Sequence, residues 1–374
     1  IVFGDWSSDV CSSDLLYKNE RIICDVQGAE INVEYPLGSK HKKLINMCSN
    51  NYLGLSSHPD VVQAAHEALD IRGFGLSSVR FICGTQDIHK QLESRMSRFL
   101  GTEETILFSS CFDANAAVFE TLLGEDDIMI SDRLVHASII DGMRLAKAKH
   151  DTYKHSDMVH LSKKLEQYHD HPRKIIITDG VCSMDGDIAK LDQIVSLAEE
   201  FEAMVFVDDS HATGFIGKTG RGVHELQGVM DKVDILTTTF GKALGGASGG
   251  CVSGRKELID LLRQRGRPYL FSNTLAPAIT MSTMKVLDIL ESSTERRDKL
   301  EHNMKWWRKA LMDAGFIIVS GDSPIVPIML YDAKLAQRVS NDLYDNGVFA
   351  VGFFYPVVRS EERRVGKECR SRWS

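Results

Sequence analysis

Two short windows carry the residues best suited to chemistry. In Met204-Val205-Phe206-Val207-Asp208-Asp209-Ser210-His211-Ala212-Thr213-Gly214 an apolar run ends directly in two carboxylates and a histidine. In Thr237-Thr238-Thr239-Phe240-Gly241-Lys242-Ala243-Leu244-Gly245-Gly246 a second run ends in a lysine set among glycines, hydroxyls and alanine. Taken singly, Asp208 reads equally well as a helix cap or surface acid, and Lys242 as a surface cation. Together they supply an amine that can condense with a carbonyl and an acid that can keep a ring nitrogen protonated. Those are groups that pyridoxal phosphate chemistry requires, along with donors for its phosphate.

Two other readings of the lysine loop compete. A Walker-type phosphate loop needs glycine five residues before the Gly-Lys pair and a hydroxyl after it, but these positions hold Leu236 and Ala243. A nucleophile elbow needs G-x-S-x-G, which Gly246-Ala247-Ser248-Gly249-Gly250 satisfies by letter. No acid-then-histidine partners follow it in a convincing context, so the elbow is kept only as a rival.

Strand ends of this kind hold ligands in open α/β sheets. From about residue 50 to 265 amphipathic helical windows alternate with short apolar runs, which predicts a mainly parallel sheet covered by helices. Strands are expected at Thr105 to Phe108, Ile128 to Ser131, Lys174 to Thr178, Met204 to Val207, Ile235 to Thr238 and Gly250 to Ser253. Several are apolar on both faces, as parallel strands buried between helix layers must be. In Asp87 to Leu100 the spacing of Ile88, Leu92, Met96, Phe99 and Leu100 predicts a helix buried on one face. Beyond Arg267-Pro268-Tyr269, helices at Ala276 to Ser292 and Arg296 to Ala314 and strands at Phe316 to Val319 and Ile325 to Leu330 predict a smaller α+β domain.

The composition, 43% hydrophobic and 26% charged over 374 residues, is that of a soluble globular chain with room for two domains. A formal net charge of -8 offers no basic stripe for a nucleic acid or an anionic membrane. No apolar run reaches the length of a membrane span, and an intracellular, cytoplasmic setting is expected. The 8 cysteines include no C-x-x-C pair, so neither a disulfide framework nor a metal site is indicated.

Six strings in order point further: Asn50-Asn51-Tyr52-Leu53-Gly54-Leu55, Val79-Arg80-Phe81-Ile82-Cys83-Gly84-Thr85, Ser109-Ser110-Cys111-Phe112-Asp113-Ala114-Asn115, His136-Ala137-Ser138-Ile139, Val207-Asp208-Asp209-Ser210-His211 and Phe240-Gly241-Lys242-Ala243-Leu244-Gly245. From about residue 16 to 358 the chain resembles the α-oxoamine synthase group of fold-type I pyridoxal-phosphate enzymes. The strings through Arg80 and Cys111, with Arg267-Pro268-Tyr269-Leu270-Phe271-Ser272-Asn273, favour the members that join glycine to acetyl-CoA, giving 2-amino-3-oxobutanoate and CoA.

The resemblance implies that Lys242 holds the cofactor covalently and, once displaced by glycine, takes a proton from its α-carbon. It implies that Asp208 pairs with the ring nitrogen, that His211 reaches the phenolic oxygen, and that His136 stacks on the ring and helps place the substrate. Cys111 and Phe112 would open a helix whose N–H groups favour the phosphate. Thr239 would add a hydroxyl, and Ser183 a further cofactor contact. Ser272 and Asn273 would reach the phosphate from a neighbouring subunit, which implies a homodimer with shared sites. Asn50 joins His136 on the substrate side. The pathway implied is threonine breakdown to glycine. A relative using another amino acid or acyl-CoA, such as 8-amino-7-oxononanoate synthase, and a cofactor-binding fragment without turnover stay open as alternatives.

The expected organisation is an N-terminal segment over residues 16–50, a large cofactor domain over 51–265 and a small domain over 266–358. Residues 1–15 and 359–374 resemble translated sequencing adapter and are set aside. In the family a segment past the Phe-Tyr-Pro-Val-Val string carries the arginine that binds the substrate carboxylate, so the small domain is expected to be truncated here. None of Arg359, Arg363, Arg364, Arg370 or Arg372 sits in a matching motif.

Overall fold

A computed structural model of the chain describes residues 20–353 and the backbone of residues 364–365. Both adapter-like ends lie outside the described residues apart from that pair. The chain divides into two compact units: residues 58–183 with 187–298, and the described parts of 1–57, 184–186 and 299–374. Residues 266–298, grouped above with the C-terminal part, pack within the first of these.

The larger unit is built on seven strands, numbered within it: β1 (Glu104–Phe108), β2 (Ile128–Asp132), β3 (Lys149–Tyr153), β4 (Lys174–Asp179), β5 (Ala203–Asp208), β6 (Ile235–Thr239) and β7 (Gly250–Gly254). Their order across the sheet is β1-β7-β6-β5-β4-β2-β3. All pairs are parallel except the two made by β7, which runs antiparallel to β1 and β6. The C-terminal ends of β1, β2, β4, β5 and β6 therefore share one edge of the sheet. Register brings Asp179 opposite Asp208, and Asp208 opposite Thr237.

The six expected strands are all present, each one or two residues longer than read. They are buried because helices cover both faces, and β2 and β4 show no exposed residue. The core gathers Ile106, Met129, Ile175, Ile177, Phe206 and Val252 around Phe119. Each large side chain so buried contributes roughly 1.5–3 kcal/mol of transfer free energy. The strand that sequence reading missed is β3, whose Lys-His-Asp-Thr-Tyr has neither an apolar run nor alternation. It is an edge strand held by β2 alone, so only Tyr153 is buried.

The helix Asp87–Leu100 matches its expected bounds and buries Ile88, Leu92, Met96, Phe99 and Leu100. It stops at Gly101, whose φ of 75° is a left-handed cap that favours glycine. Two further helices matter to the site: α1 (Cys111–Leu122) follows β1, and α2 (Ala137–Leu145) follows β2. They pack closely because Gly142 has no Cβ; one there would lie 2.9 Å from Asn115 O.

In the smaller unit, strands Ile22–Ile23, Glu30–Glu34 and Lys42–Asn46 form an antiparallel meander, joined in parallel by Val348–Phe349. Ile31, Val33, Leu44, Tyr344 and Phe349 form its core. The run Ile325 to Leu330 yields only the strand Ile328–Met329, and Phe316 to Val319 only a single bridge, Ile318 to Ile328. Pro327 removes one ladder donor, and Phe316 and Ile317 are exposed. Ile328–Met329 and Gly352–Phe353 both pair with Arg364–Val365. No helix among the described residues is long and apolar enough to cross a membrane.

Candidate active site

The shared C-terminal edge of the sheet opens into a cavity of about 210 Å³. Its lining includes Cys111, Phe112, His136, Asp208, His211, Thr239 and Lys242, so seven of the residues singled out in the sequence meet in one place.

Asp208 ends β5 and is only 5% exposed. A buried carboxylate must be compensated. Here Asn115 Nδ2 donates to Oδ2 at 2.7 Å, and the Ser210 backbone N–H donates to Oδ1 at 3.0 Å. The same Asn115 Nδ2 also donates to Ser138 Oγ at 2.9 Å, which ties α1 to the first turn of α2. The acid is thus fixed by α1 and by the turn that follows β5, and α2 in turn holds the amide on α1.

Lys242 lies just past β6 in a closed turn. Phe240 N–H donates to Gly249 O at 2.9 Å and Gly246 N–H to Phe240 O at 3.0 Å. Thr239 Oγ1 accepts from Gly241 N at 3.0 Å and donates to Gly249 O at 3.3 Å. Gly245 and Gly246 have φ of 114° and 74°, so this turn needs its glycines. Ser248 is exposed, does not line the cavity, and leads into a strand rather than a helix. The elbow reading lacks its strand-turn-helix geometry.

Helix α1 begins at Cys111, capped by Ser110 Oγ, which accepts from Asp113 N at 3.0 Å. Its first N–H groups face the anion-favouring end of the helix dipole. Gly250 packs flush on this start: a Cβ there would lie 2.7 Å from both Cys111 N and Cα. Burial first, and the nearby charge of Asp208 second, push the Cys111 thiol well above its usual range, so it is a neutral, inert wall.

His136 caps α2. Its Nδ1 lies 2.7 Å from Ser138 Oγ and accepts from Ser138 N at 3.2 Å, while its backbone N–H donates to Asp179 Oδ1 at 3.2 Å. The capping geometry fixes the ring at the cavity mouth. Asp179, also buried, is pushed well above the usual carboxylate range by burial and then by the charge of Asp208.

The remaining expected residues lie elsewhere. Ser183 is half-buried two residues beyond Val181, which does line the cavity. Ser272 Oγ lies 3.2 Å from Ser109 Oγ, and Asn273 is exposed. Asn50 belongs to the smaller unit. Sequence reading missed Asn115 as a holder of Asp208, Ser138 as the partner that holds Asn115, and Asp179 altogether. Asp179 carries the same signal as Asp208, a carboxylate at the end of a buried strand.

A profile of the family described as aminotransferase class I and II matches residues 42–367. The chain is 51% identical to the 2-amino-3-ketobutyrate coenzyme A ligase of Escherichia coli strain K12, over 94% of this chain and 87% of that one. It is 43% identical to the 8-amino-7-oxononanoate synthase of Thermosipho melanesiensis, over 94% and 88%. Among solved structures it resembles a serine palmitoyltransferase from S. paucimobilis with a bound PLP-myriocin aldimine, with a TM-score of 0.91 at 30% identity over 98% of this chain and 91% of that one.

Proposed function

Because the chain belongs to the class I and II aminotransferases and, within them, to the 2-amino-3-ketobutyrate coenzyme A ligases, we infer that it joins glycine to acetyl-CoA with pyridoxal phosphate, releasing CoA and 2-amino-3-oxobutanoate. One observation carries the reading: a buried carboxylate, Asp208, held by Asn115 and Ser210, lines the same small cavity as the amine of Lys242. The donor set fits the cofactor. An acid at the end of β5 suits a protonated ring nitrogen, and the start of α1 with the hydroxyls of Ser110 and Thr239 suits a phosphate.

When bound, pyridoxal phosphate supplies an electron sink for the carbon from which glycine loses a proton. Lys242 Nζ takes that proton and returns one later in the cycle. Asp208 would keep a proton on the ring nitrogen, and the hydrogen bonds from Asn115 and Ser210 keep Asp208 aimed. His211, 5% exposed, would hold the phenolic side of the cofactor, and His136 would pack on the ring and orient the amino acid. Ser183 adds a cofactor contact, Asn50 acts on the substrate, and Ser272 and Asn273 reach the phosphate of the partner subunit in a homodimer. The reading extends to a cytoplasmic enzyme that works, in the reverse direction, in the breakdown of threonine to glycine.

The test is CoA release, followed by thiol titration, with glycine, alanine or serine against acetyl-, longer acyl- and dicarboxylyl-CoA thioesters. The expected result is a preference of tenfold or more, on the order of 1.4 kcal/mol, for glycine with acetyl-CoA. Faster turnover of alanine with a long dicarboxylyl thioester would move the chain to the other branch of the group.

A further inference from the structure

Outside the cavity, three charged groups are joined in a line. His155 follows β3, and its Nδ1 lies 2.8 Å from Asp132 Oδ1 while its Nε2 lies 2.8 Å from Asp187 Oδ2. A carboxylate only accepts, so both ring nitrogens donate and the ring is an imidazolium. Burial opposes that charge, but the hydrogen bonds and charges of the two acids outweigh it and raise the His155 pKa to about 10. Tyr153, Asp179, Cys182 and Lys190 are the other titratable groups around the small hollow beside it.

Each end of the line is anchored to something that borders the active site. Asp132 ends β2 and is 4% exposed; its oxygens also accept from Leu134 N at 2.8 Å and Ser156 N at 3.0 Å. Leu134 leads in two residues to His136. Asp187 lies in a turn closed by Cys182 N donating to Asp187 O at 3.0 Å and by a bridge between Val181 and Ile188. That turn begins at the cavity-lining Val181 and carries Ser183. A cation between two carboxylates on separate segments holds them at a fixed separation through a charge-assisted bond to each, whereas a neutral imidazole has a single N–H and donates to only one.

We propose that His155, joining Asp132 to Asp187, is a positioning residue that fixes the Val181 to Ile188 turn, and with it Ser183, against the His136 side of the cavity. The part of this inference that concerns Ser183 rests on the functional reading above, whereas the holding of the turn does not.

Two measurements on the whole 374-residue chain test it, with His155→Gln, Asp187→Asn, Ser183→Ala and the double variant His155→Gln/Ser183→Ala. The first is amide hydrogen exchange across residues 181–188. Exchange about tenfold faster in His155→Gln and Asp187→Asn, with β4 and β5 still protected, is expected; wild-type exchange in both would overturn the proposal. The second is the pH titration of the visible band of the bound cofactor. His155→Gln is expected to shift the midpoint in the same direction as Ser183→Ala, and the double variant no further than Ser183→Ala alone; additive shifts would overturn the action through Ser183. Should His155→Gln fail to fold, Asp187→Asn keeps the Asp132 arm and carries both measurements. A wild type without any band would overturn the functional reading, and the exchange experiment would still decide the holding of the turn.

Discussion

Asn115 Nδ2 donates to Asp208 Oδ2 at 2.7 Å, so a helix-interior amide on α1 fixes the acid at the end of β5. Both partners are buried, and a hydrogen bond to a charged group contributes about 1.5–3 kcal/mol. Asn115→Ala should therefore lower kcat/KM by roughly 10- to 100-fold and weaken cofactor binding in parallel, measured by steady-state kinetics and equilibrium dialysis. A variant within twofold of wild type would show that Asp208 needs no such support.

Asp208→Asn keeps the shape and removes the charge. With no acid to hold a proton on the ring nitrogen, turnover should fall by about 100-fold or more. The urea unfolding midpoint should hold or rise, because a charge that folding must take out of water is gone. A fall in stability with activity preserved would assign Asp208 to the scaffold.

Gly250→Ala tests the packing beneath the phosphate end of the site. The added methyl meets the backbone of Cys111, which cannot swing aside as a side chain would. Overpacking costs about 1–3 kcal/mol, and the shift falls on the start of α1, so stability and cofactor affinity should both drop. Urea titration of the apoprotein and dialysis of the cofactor read the two effects separately.

His155 also sets a pH dependence. Its ordinary pKa of 6.5 rises to about 10 in the folded chain. Between these values the folded protein keeps a proton that the unfolded chain has released, so this contribution is complete below pH 6.5 and is lost as pH rises toward about 10. Urea midpoints across that window should fall more steeply in wild type than in His155→Gln; parallel slopes would contradict the paired imidazolium.

The parts of the fold that could be read from the sequence are those where one physical demand dominates. Lys174 to Asp179 is apolar through Ile175, Ile176 and Ile177 because a parallel strand is buried on both faces, and Asp87–Leu100 shows its buried face at helical spacing. Lys149–Tyr153 gave no signal, since an edge strand is held by its neighbour's backbone and its own side chains face water. Asp208, His211 and Lys242 stood out because polar groups directly after apolar runs are anomalous. Asn115 did not, since an asparagine among Ala114, Ala116 and Ala117 looks like an ordinary helix residue until α1 is docked on α2. The partners of His155 lie 23 and 32 residues away, and only the fold of β2, β3 and the turn after β4 joins them.

The most direct test of the central reading is the visible absorption spectrum of the purified chain with pyridoxal phosphate, before and after glycine, beside Lys242→Ala. A covalent cofactor band that requires Lys242 and changes on adding glycine is the expected result. A band indifferent to Lys242, or the absence of any band, would contradict the assignment of this cavity as the seat of pyridoxal-phosphate chemistry.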